Sequence, residues 1–290
     1  MLPLSRVLVP VDFSERSVAA VRYARSLACH FQAELILLYV VPPVSYESSG
    51  FEFGGIVMTE AFLDRAAEAR KELDSFLAKE LAGHGVRKVV LEGDPAREIV
   101  AFAHDEQVSL IVMPTHGYGP FRRFLLGSVT AKVLHDADCL VLTGVHLEQG
   151  PSLEPVAPRT VVCAVDLGPQ SMKVLECAKG LTEQFQAELV LVHATPLGEA
   201  HFEEMFDPEW RATIGERVRE RLDDLIEEAK ATAEVSVEDG SPADVVTAAA
   251  QRFNADLVVI GRSEAAGMFG RLRTNAYSII RQSPCPVVSV

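Results

Sequence analysis

A glycine-containing loop, with Gly117 and the pair Gly127-Ser128, is the feature of this sequence that most clearly predicts chemistry. The apolar run Leu110 to Met113 precedes the loop, and a helical pattern begins at Ser128. A loop that joins a strand to a helix presents main-chain N–H groups at the helix N-terminus, where the helix dipole adds partial positive charge. This arrangement predicts an anion-binding site, with the Ser128 hydroxyl as a further donor. The loop is not of the Walker A type, because no Gly-Lys-Ser/Thr triplet follows.

Asp12 is a second residue that we expect at this site. It follows the apolar strand Arg6 to Val11, and Ser14 is the predicted N-cap of the helix that comes next. In parallel α/β sheets the carboxyl ends of the strands meet at one edge, and ligands bind where the strand order reverses. We therefore expect Asp12, the end of the second strand at Val40 and the glycine loop to line one crevice.

The chain contains the same domain twice. The segment Phe31–Leu35 recurs as Phe185–Leu189, 154 residues later. Two copies of this length suit paired domains better than the short units of a solenoid. We predict domains at residues 1–145 and 160–290, joined by residues 146–159, whose prolines and lack of apolar periodicity are typical of a linker.

Strands and helices alternate in each copy, which indicates parallel strands joined by right-handed crossovers. The predicted fold class is α/β, with two tandem doubly wound, Rossmann-like domains that each contain a five-stranded parallel sheet. The nearly continuous apolar run Glu34–Val41 is typical of a strand buried on both faces. Further along, the pattern predicts a long helix from Thr59 to about Ala82 in the first copy and a helix over Asn275–Gln282 in the second.

Composition excludes several classes of function. The formal net charge of −14 argues against binding to nucleic acid or to anionic lipid. The net charge is uneven, at −4 for residues 1–145 and −10 for residues 146–290, so an anionic ligand meets less repulsion in the first copy.

The apolar runs are of strand length, and the N-terminus lacks a signal-peptide pattern. We therefore expect a cytoplasmic protein with no membrane partner. The five cysteines include no C-x-x-C pair, which argues against a disulfide framework or a zinc site.

In both copies, the chain resembles a tandem member of the universal stress protein family. In ATP-binding members the fourth strand ends in the pattern G-x2-G-x9-G-[ST], which Gly117, Gly127 and Ser128 match. The family's Pro-x-Asp-Phe-Ser opening is matched by the segment that begins at Pro10 and includes Asp12. The resemblance implies the fold of the adenine nucleotide alpha hydrolase-like class, with ATP and Mg²⁺ as the ligands.

The resemblance also implies roles for individual residues. The main chain of Val40 meets adenine, Asp12 lies on the ribose or adenine side, and the phosphates lie against the glycine loop and the start of the next helix. No catalytic residue and no protein ligand to a metal is predicted. The nucleotide-binding residues are expected to be Pro10, Asp12, Val40, Pro114, His116, Gly117, Arg123, Gly127, Ser128 and Val129.

The sequence departs from the family pattern in two places. Pro114 stands where the family has its first glycine, and proline has no N–H to donate, so we expect weaker binding but not its loss. In the second copy Glu264 replaces the second glycine, while Thr274 and Asn275 replace the Gly-Ser pair. A carboxylate beside phosphates repels them, so we expect ATP in the first copy only.

The leading hypothesis is a nucleotide-dependent regulatory protein of the stress response that is not an enzyme. One alternative is a slow ATPase that draws on His116, Arg122 and Arg123. However, the simpler interpretation of these arginines is that they are exposed loop residues, and His116 is expected to be structural. A second alternative is a scaffold that works without nucleotide. The resemblance further implies that the copies pair through their last strands, Leu140–Val145 and Val287–Val290, and that two chains form a homodimer.

Overall fold

We describe the protein from a computed structural model. The residues that it describes are 4–43, 55–115, 126–144, 157–195, 208–262 and 271–290, with the backbone alone described over 55–64, 208–212 and 271–274. The chain divides into two compact units, built mainly on Leu4–Val141 and on Val156–Val290. The predicted linker at residues 146–159 lies mostly outside the described residues, so its boundaries stay a prediction.

Strands and helices alternate along the described parts of both units. The first unit contains, in chain order, β1 (Arg6–Pro10), α1 (Glu15–Phe31), β2 (Glu34–Val41), α2 (Gly55–Ser75), β3 (Val86–Glu92), α3 (Pro95–Asp105), β4 (Leu110–Val112), α4 (Ser128–Asp136) and β5 (Leu140–Thr143). The second unit contains β6 (Thr160–Ala164), α5 (Ser171–Phe185), β7 (Glu188–Thr195), α6 (Pro208–Ala229), β8 (Glu234–Asp239), α7 (Pro242–Arg252), β9 (Leu257–Ile260), α8 (Arg271–Gln282) and β10 (Val287–Ser289).

Each unit has a doubly wound sheet. The strand order is β3-β2-β1-β4-β5 in the first unit and β8-β7-β6-β9-β10 in the second. Strands β1 to β4 run parallel to their neighbours, and so do β6 to β10. The chain moves outward from β1 to β3 and then returns to β4 on the other side of β1, which places the point of reversal between β1 and β4. The predicted α/β fold class is confirmed.

The repeat is visible in backbone conformation as well as in sequence. Gln32 and Gln186 both end a helix with a left-handed φ of 54°. Phe13 and Leu167, which follow the aspartates Asp12 and Asp166, also have positive φ values of 62° and 58°. Left-handed conformations are costly for residues other than glycine. Their recurrence at equivalent positions therefore shows that the main chain turns in the same way at these residues in both copies.

The core lies on both faces of the sheets, as the apolar strand predicts. Helices α1, α2 and α3 all pack against β2, and Leu35 to Leu38 of this strand are at most 4% exposed. The equivalent strand β7 contains Leu191, which is fully buried like Leu37 in β2. Burial of this kind is the largest favourable contribution to folding.

Two helices differ from their predicted bounds. Helix α2 begins at Gly55 and ends at Ser75, where the sequence predicted Thr59 to about Ala82. Helix α8 begins at Arg271, one turn before the predicted start at Asn275. The second difference alters the candidate site in the second copy, because it moves the helix N-terminus away from Thr274 and Asn275.

Helices α3 and α7, which occupy equivalent positions in the two copies, both begin with a side-chain N-cap. The Asp94 side chain accepts a hydrogen bond from the N–H of Arg97, and the Ser241 side chain accepts one from the N–H of Asp244, at 3.1 and 3.3 Å. We expect Asp94→Ala and Ser241→Ala each to lower the free energy of unfolding by about 1 kcal/mol, because each leaves an N-terminal N–H without its acceptor. Chemical denaturation measures the loss, and an unchanged midpoint for either variant would contradict the assigned cap.

Candidate functional site

The candidate site lies at the carboxyl edge of the first sheet, where β1 and β4 are neighbours. Leu8 of β1 lies beside Ile111 of β4, so both strands end at the same edge. Pro10 ends β1 and is half-buried, and Asp12 follows it; Pro114 follows β4 and is buried. The strand order thus brings together Asp12 and the start of the glycine loop, which are about a hundred residues apart in sequence.

The Asp12 carboxylate is held by the turn that begins helix α1. Its Oδ1 atom accepts a hydrogen bond from the N–H of Ser14 at 3.1 Å and further hydrogen bonds from the hydroxyls of Ser14 and Ser17. The N–H of Asp12 donates to the Ser17 hydroxyl oxygen at 3.0 Å. Because Ser17 is 1% exposed, its own bonds to Asp12 are shielded from water, and the bonds together give the carboxylate one orientation.

An aromatic cluster anchors the same turn. The ring of Phe13 lies 4.5 Å from that of Tyr39 and 5.5 Å from that of Phe76, measured between ring centroids. Ring contacts of this kind contribute about 0.5–1.5 kcal/mol each beyond the area that they bury. They stabilise Phe13 in its left-handed conformation, and this conformation turns the chain from β1 towards Ser14.

Two hydrogen bonds connect the end of β4 to the start of helix α4. The N–H of Gly127 donates to the carbonyl of Thr115 at 2.8 Å, and the Thr130 hydroxyl donates to the carbonyl of Pro114 at 3.1 Å. Thr130 and Thr115 are 3% and 2% exposed, so both bonds are shielded from water. The strand end and the helix N-terminus are consequently fixed relative to each other.

Helix α4 begins without a side-chain cap. Its N-cap is Gly127, whereas the side chains of Ser14, Asp94 and Ser241 cap α1, α3 and α7. Among the residues that the structure describes, none makes a hydrogen bond with the Ser128 hydroxyl, and Ser128 is exposed. The first N–H groups of a helix need partners from outside the helix, so this end of α4 can receive an anion.

The geometry refines what each residue near α4 can do. The N–H of Gly127 is already bonded to Thr115, so the helix-start N–H groups without an intrahelical acceptor are those of Ser128, Val129 and Thr130. Pro114 contributes its carbonyl to the bond from Thr130, and its lack of an N–H leaves no unsatisfied donor in this buried position. The predicted anion site therefore centres on Ser128 and Val129.

The remaining predicted residues fall into two groups. Val40 lies near the end of β2 beside Leu91 of β3, and the residue is 6% exposed. His116, Gly117 and the loop arginines Arg122 and Arg123 lie outside the described residues. Their part in the site stays a prediction from the sequence.

Sequence reasoning missed the residues that hold the site together. The hydroxyls of Ser17 and Thr130 and the carbonyl of Thr115 were not among the predicted site residues. The spacing of Ser14 and Ser17 across the first turn of α1 was a usable signal, because a serine N-cap and a serine three residues later face the same helix end. The bonds from Thr130 to Pro114 and from Gly127 to Thr115 left no such pattern.

The second copy preserves the carboxylate but not its surroundings. Asp166 accepts hydrogen bonds at Oδ1 from the N–H of Gly168 at 2.8 Å and from the Ser171 hydroxyl at 3.1 Å. Gly168 stands where the first copy has Ser14, so one hydroxyl donor is absent. Asp166 is exposed, whereas Asp12 is half-buried.

The helix start is the larger difference between the copies. Because α8 begins at Arg271, Thr274 and Asn275 lie within the helix, where main-chain N–H groups bond to the carbonyls one turn earlier. The equivalent positions in the first copy, Gly127 and Ser128, are the N-cap and first residue of α4. Glu264 lies outside the described residues.

No helix in the described part of the chain is long and apolar enough to cross a membrane. Within the described ranges, no three or more His, Cys, Asp or Glu side chains come together as a metal site.

Taken with the fold, these features define a tandem doubly wound α/β protein with a candidate anion site at the switch point of its first unit. The chain belongs to the universal stress protein family, whose model matches residues 3–143 and 158–290. The family resemblance noted from the sequence is thereby confirmed.

Individual relatives agree with this assignment. A universal stress protein of Mycolicibacterium smegmatis is 26% identical over 296 residues, covering 98% of this chain and 96% of the relative. A universal stress protein of Methanocaldococcus jannaschii is 35% identical over 137 residues, covering 47% of this chain and 79% of the relative. The crystal structure of a universal stress protein from Archaeoglobus fulgidus matches with a TM-score of 0.72 and 24% identity, covering 100% of this chain and 97% of that one, which supports the fold.

Proposed function

We propose that the protein binds ATP in its N-terminal unit and acts as a nucleotide-dependent regulatory protein of the stress response. The observation that carries the proposal is the uncapped N-terminus of α4 at the same sheet edge as the fixed Asp12 carboxylate. The second copy has no helix N-terminus at the equivalent point, because α8 begins one turn earlier. This difference favours one nucleotide per chain.

The described residues fit the parts of an adenine nucleotide. The main chain at Val40 can bond the adenine edge, and the Asp12 carboxylate can accept from ribose hydroxyls. The N–H groups of Ser128 and Val129, with the Ser128 hydroxyl, can donate to phosphate oxygens. Gly127 places no side chain between α4 and a phosphate.

Other groups complete the proposed site. Gly117, His116 and Arg123 would extend it along the loop, and Mg²⁺ would be held by the phosphates rather than by the protein. Pro10 ends β1 just before Asp12 and would border the nucleotide from that strand.

The chemistry of the site is that of binding. Hydrolysis requires a positioned water, a base and stabilisation of charge at the γ-phosphate. We assign none of these roles to a described residue, and propose that ATP occupancy changes the surface offered to a partner.

The proposal also includes the pairing of the two copies through their last strands and the association of two chains into a homodimer. Both would cover sheet edges that could otherwise pair with other chains.

Isothermal titration calorimetry with ATP and Mg²⁺ tests the proposal. We expect one ATP per chain, and adenosine is expected to bind more weakly because it lacks the phosphates that meet α4. Nucleotide released from the purified protein by heat or acid gives an independent stoichiometry. Absence of both ATP binding and co-purified nucleotide would contradict the proposal, and two ATP per chain would contradict its asymmetry.

A further inference from the structure

We propose that Ser14 and Ser17, which we call the serine clamp, are positioning residues that make Asp12 selective for ribose over 2′-deoxyribose. The inference rests on the proposed function, since it concerns the nucleotide of the N-terminal unit. It goes further by assigning sugar selectivity to two residues that are not expected to touch the ligand themselves.

The serine clamp holds one oxygen of the carboxylate from three directions. The donors to Asp12 Oδ1 are the Ser14 N–H, the Ser14 hydroxyl and the Ser17 hydroxyl. Ser17 also accepts from the N–H of Asp12 at 3.0 Å, which closes a ring between the main chain and the carboxylate of the same residue. Rotation of the carboxylate would break the bonds to Oδ1 together, so the orientation of the carboxylate and the position of Oδ2 are fixed.

The clamp is also part of helix α1. The Ser14 hydroxyl oxygen caps the helix by accepting from the N–H of Ser17 at 3.2 Å, and Ser17 lies in the first turn. A carboxylate beside a helix N-terminus is stabilised by the dipole, and hydrogen bonds to an ionised acceptor are stronger than neutral ones. Asp12 is therefore a charged hydrogen-bond acceptor that points in one direction.

A fixed carboxylate selects a ligand that donates. A carboxylate has acceptor positions on both oxygens, so it can take a ribose hydroxyl in addition to the clamp. It repels phosphates, which directs the charged end of a nucleotide towards α4 instead. A 2′-deoxyribose lacks one donor, and a carboxylate that cannot turn to find another partner loses that hydrogen bond in full.

The second copy provides a natural control. Asp166 receives a hydroxyl donor from Ser171 at 3.1 Å, as Asp12 does from Ser17. However, Gly168 replaces Ser14, and the N-cap of α5, Gln170, makes no side-chain bond to the helix. Ser171→Ala thus removes the matched hydroxyl from a unit in which no nucleotide is proposed.

The test measures dissociation constants for ATP and 2′-deoxy-ATP on four full-length chains, namely the unchanged protein, Ser17→Ala, Ser14→Gly and Ser171→Ala. We expect the unchanged protein to prefer ATP by at least about tenfold, the usual effect of one hydrogen bond to a charged group. Ser17→Ala and Ser14→Gly are expected to reduce this ratio to about twofold, mainly by weakening ATP binding. Ser171→Ala should leave both constants unchanged.

The outcomes separate the inference from the proposed function. No ATP binding by the unchanged protein overturns the proposed function and this inference with it. ATP binding with the same ATP to 2′-deoxy-ATP ratio in Ser17→Ala as in the unchanged protein overturns the inference alone. A merely structural role would weaken both nucleotides equally and would also overturn it. Ser14→Gly decides the matter if Ser17→Ala does not fold, because glycine is a tolerated N-cap.

Discussion

Ser128→Asp is expected to abolish ATP binding by the whole chain. Ser128 is the first residue of α4, and its exposed side chain stands at the helix end where we place the phosphates. Two like charges about 4 Å apart repel by about 4 kcal/mol at an effective dielectric constant of 20. That energy corresponds to about a thousandfold in Kd, so calorimetry should detect no binding at concentrations that saturate the unchanged protein.

Loss of binding in this variant is not expected to reflect unfolding. An aspartate in the first turn of a helix is stabilised by the dipole, by about 0.3–1 kcal/mol at an exposed position. Ser128→Asp should therefore unfold at the same denaturant concentration as the unchanged protein, or slightly above it. Ser128→Asn matches the size of the new side chain without its charge, and it should retain most of the affinity.

Asn275→Asp is the matched change in the second copy. Asn275 lies in the fifth position of α8, so a carboxylate there is not at a helix N-terminus. We expect the affinity and stoichiometry of ATP binding to be unchanged. Equal losses from Ser128→Asp and Asn275→Asp would show that the second copy also binds nucleotide.

The sequence predicted the parts of the first site that depend on local patterns. Ser128 as the helix start follows from a glycine between an apolar strand and a helical period. The position of Asp12 follows from an apolar strand and a serine N-cap, Ser14. Each of these signals lies within a few residues of the feature that it predicts.

The predicted start of α8 was wrong, and the error has a physical reason. The prediction transferred the helix start at Ser128 to Asn275, which occupies the equivalent position in the repeat. The first copy has a glycine before that position, which disfavours helix, whereas the second has Thr274. Without the glycine the helix extends one further turn towards its N-terminus, to Arg271.

The hydrogen bonds of the site could be predicted from sequence only in part. The bond from the Gly127 N–H to the Thr115 carbonyl joins the end of β4 to the start of α4, and such a contact between two elements depends on tertiary packing. The serine clamp depends on the left-handed conformation of Phe13, which its ring contacts with Tyr39 stabilise. The spacing of Ser14 and Ser17 is a local signal for the serine clamp, but the conformation of Phe13 and the bond between Gly127 and Thr115 have none.

The largest expected loss of stability comes from Leu37→Ala. Leu37 is fully buried in β2, between Val9 of β1 and Lys88 of β3. Removing most of a buried leucine side chain costs about 2–5 kcal/mol, because the cavity that it leaves closes only partly. The free energy of unfolding of a typical domain is about 5–15 kcal/mol, so the variant should still fold but lose much of that free energy. Hydrogen exchange read by mass spectrometry should show lower protection in the peptides of β1 and β2.

Leu191→Ala makes the same change in the second copy and separates stability from function. Leu191 is fully buried in β7 beside Cys163, so its loss should be similar in size and confined to peptides of β6 and β7. ATP at about a hundred times its Kd stabilises the form that binds it by about 2.7 kcal/mol. ATP should therefore restore protection in β1 and β2 of Leu37→Ala and leave β6 and β7 of Leu191→Ala unprotected. Equal restoration in both variants would contradict the expectation that the nucleotide protects the first copy alone.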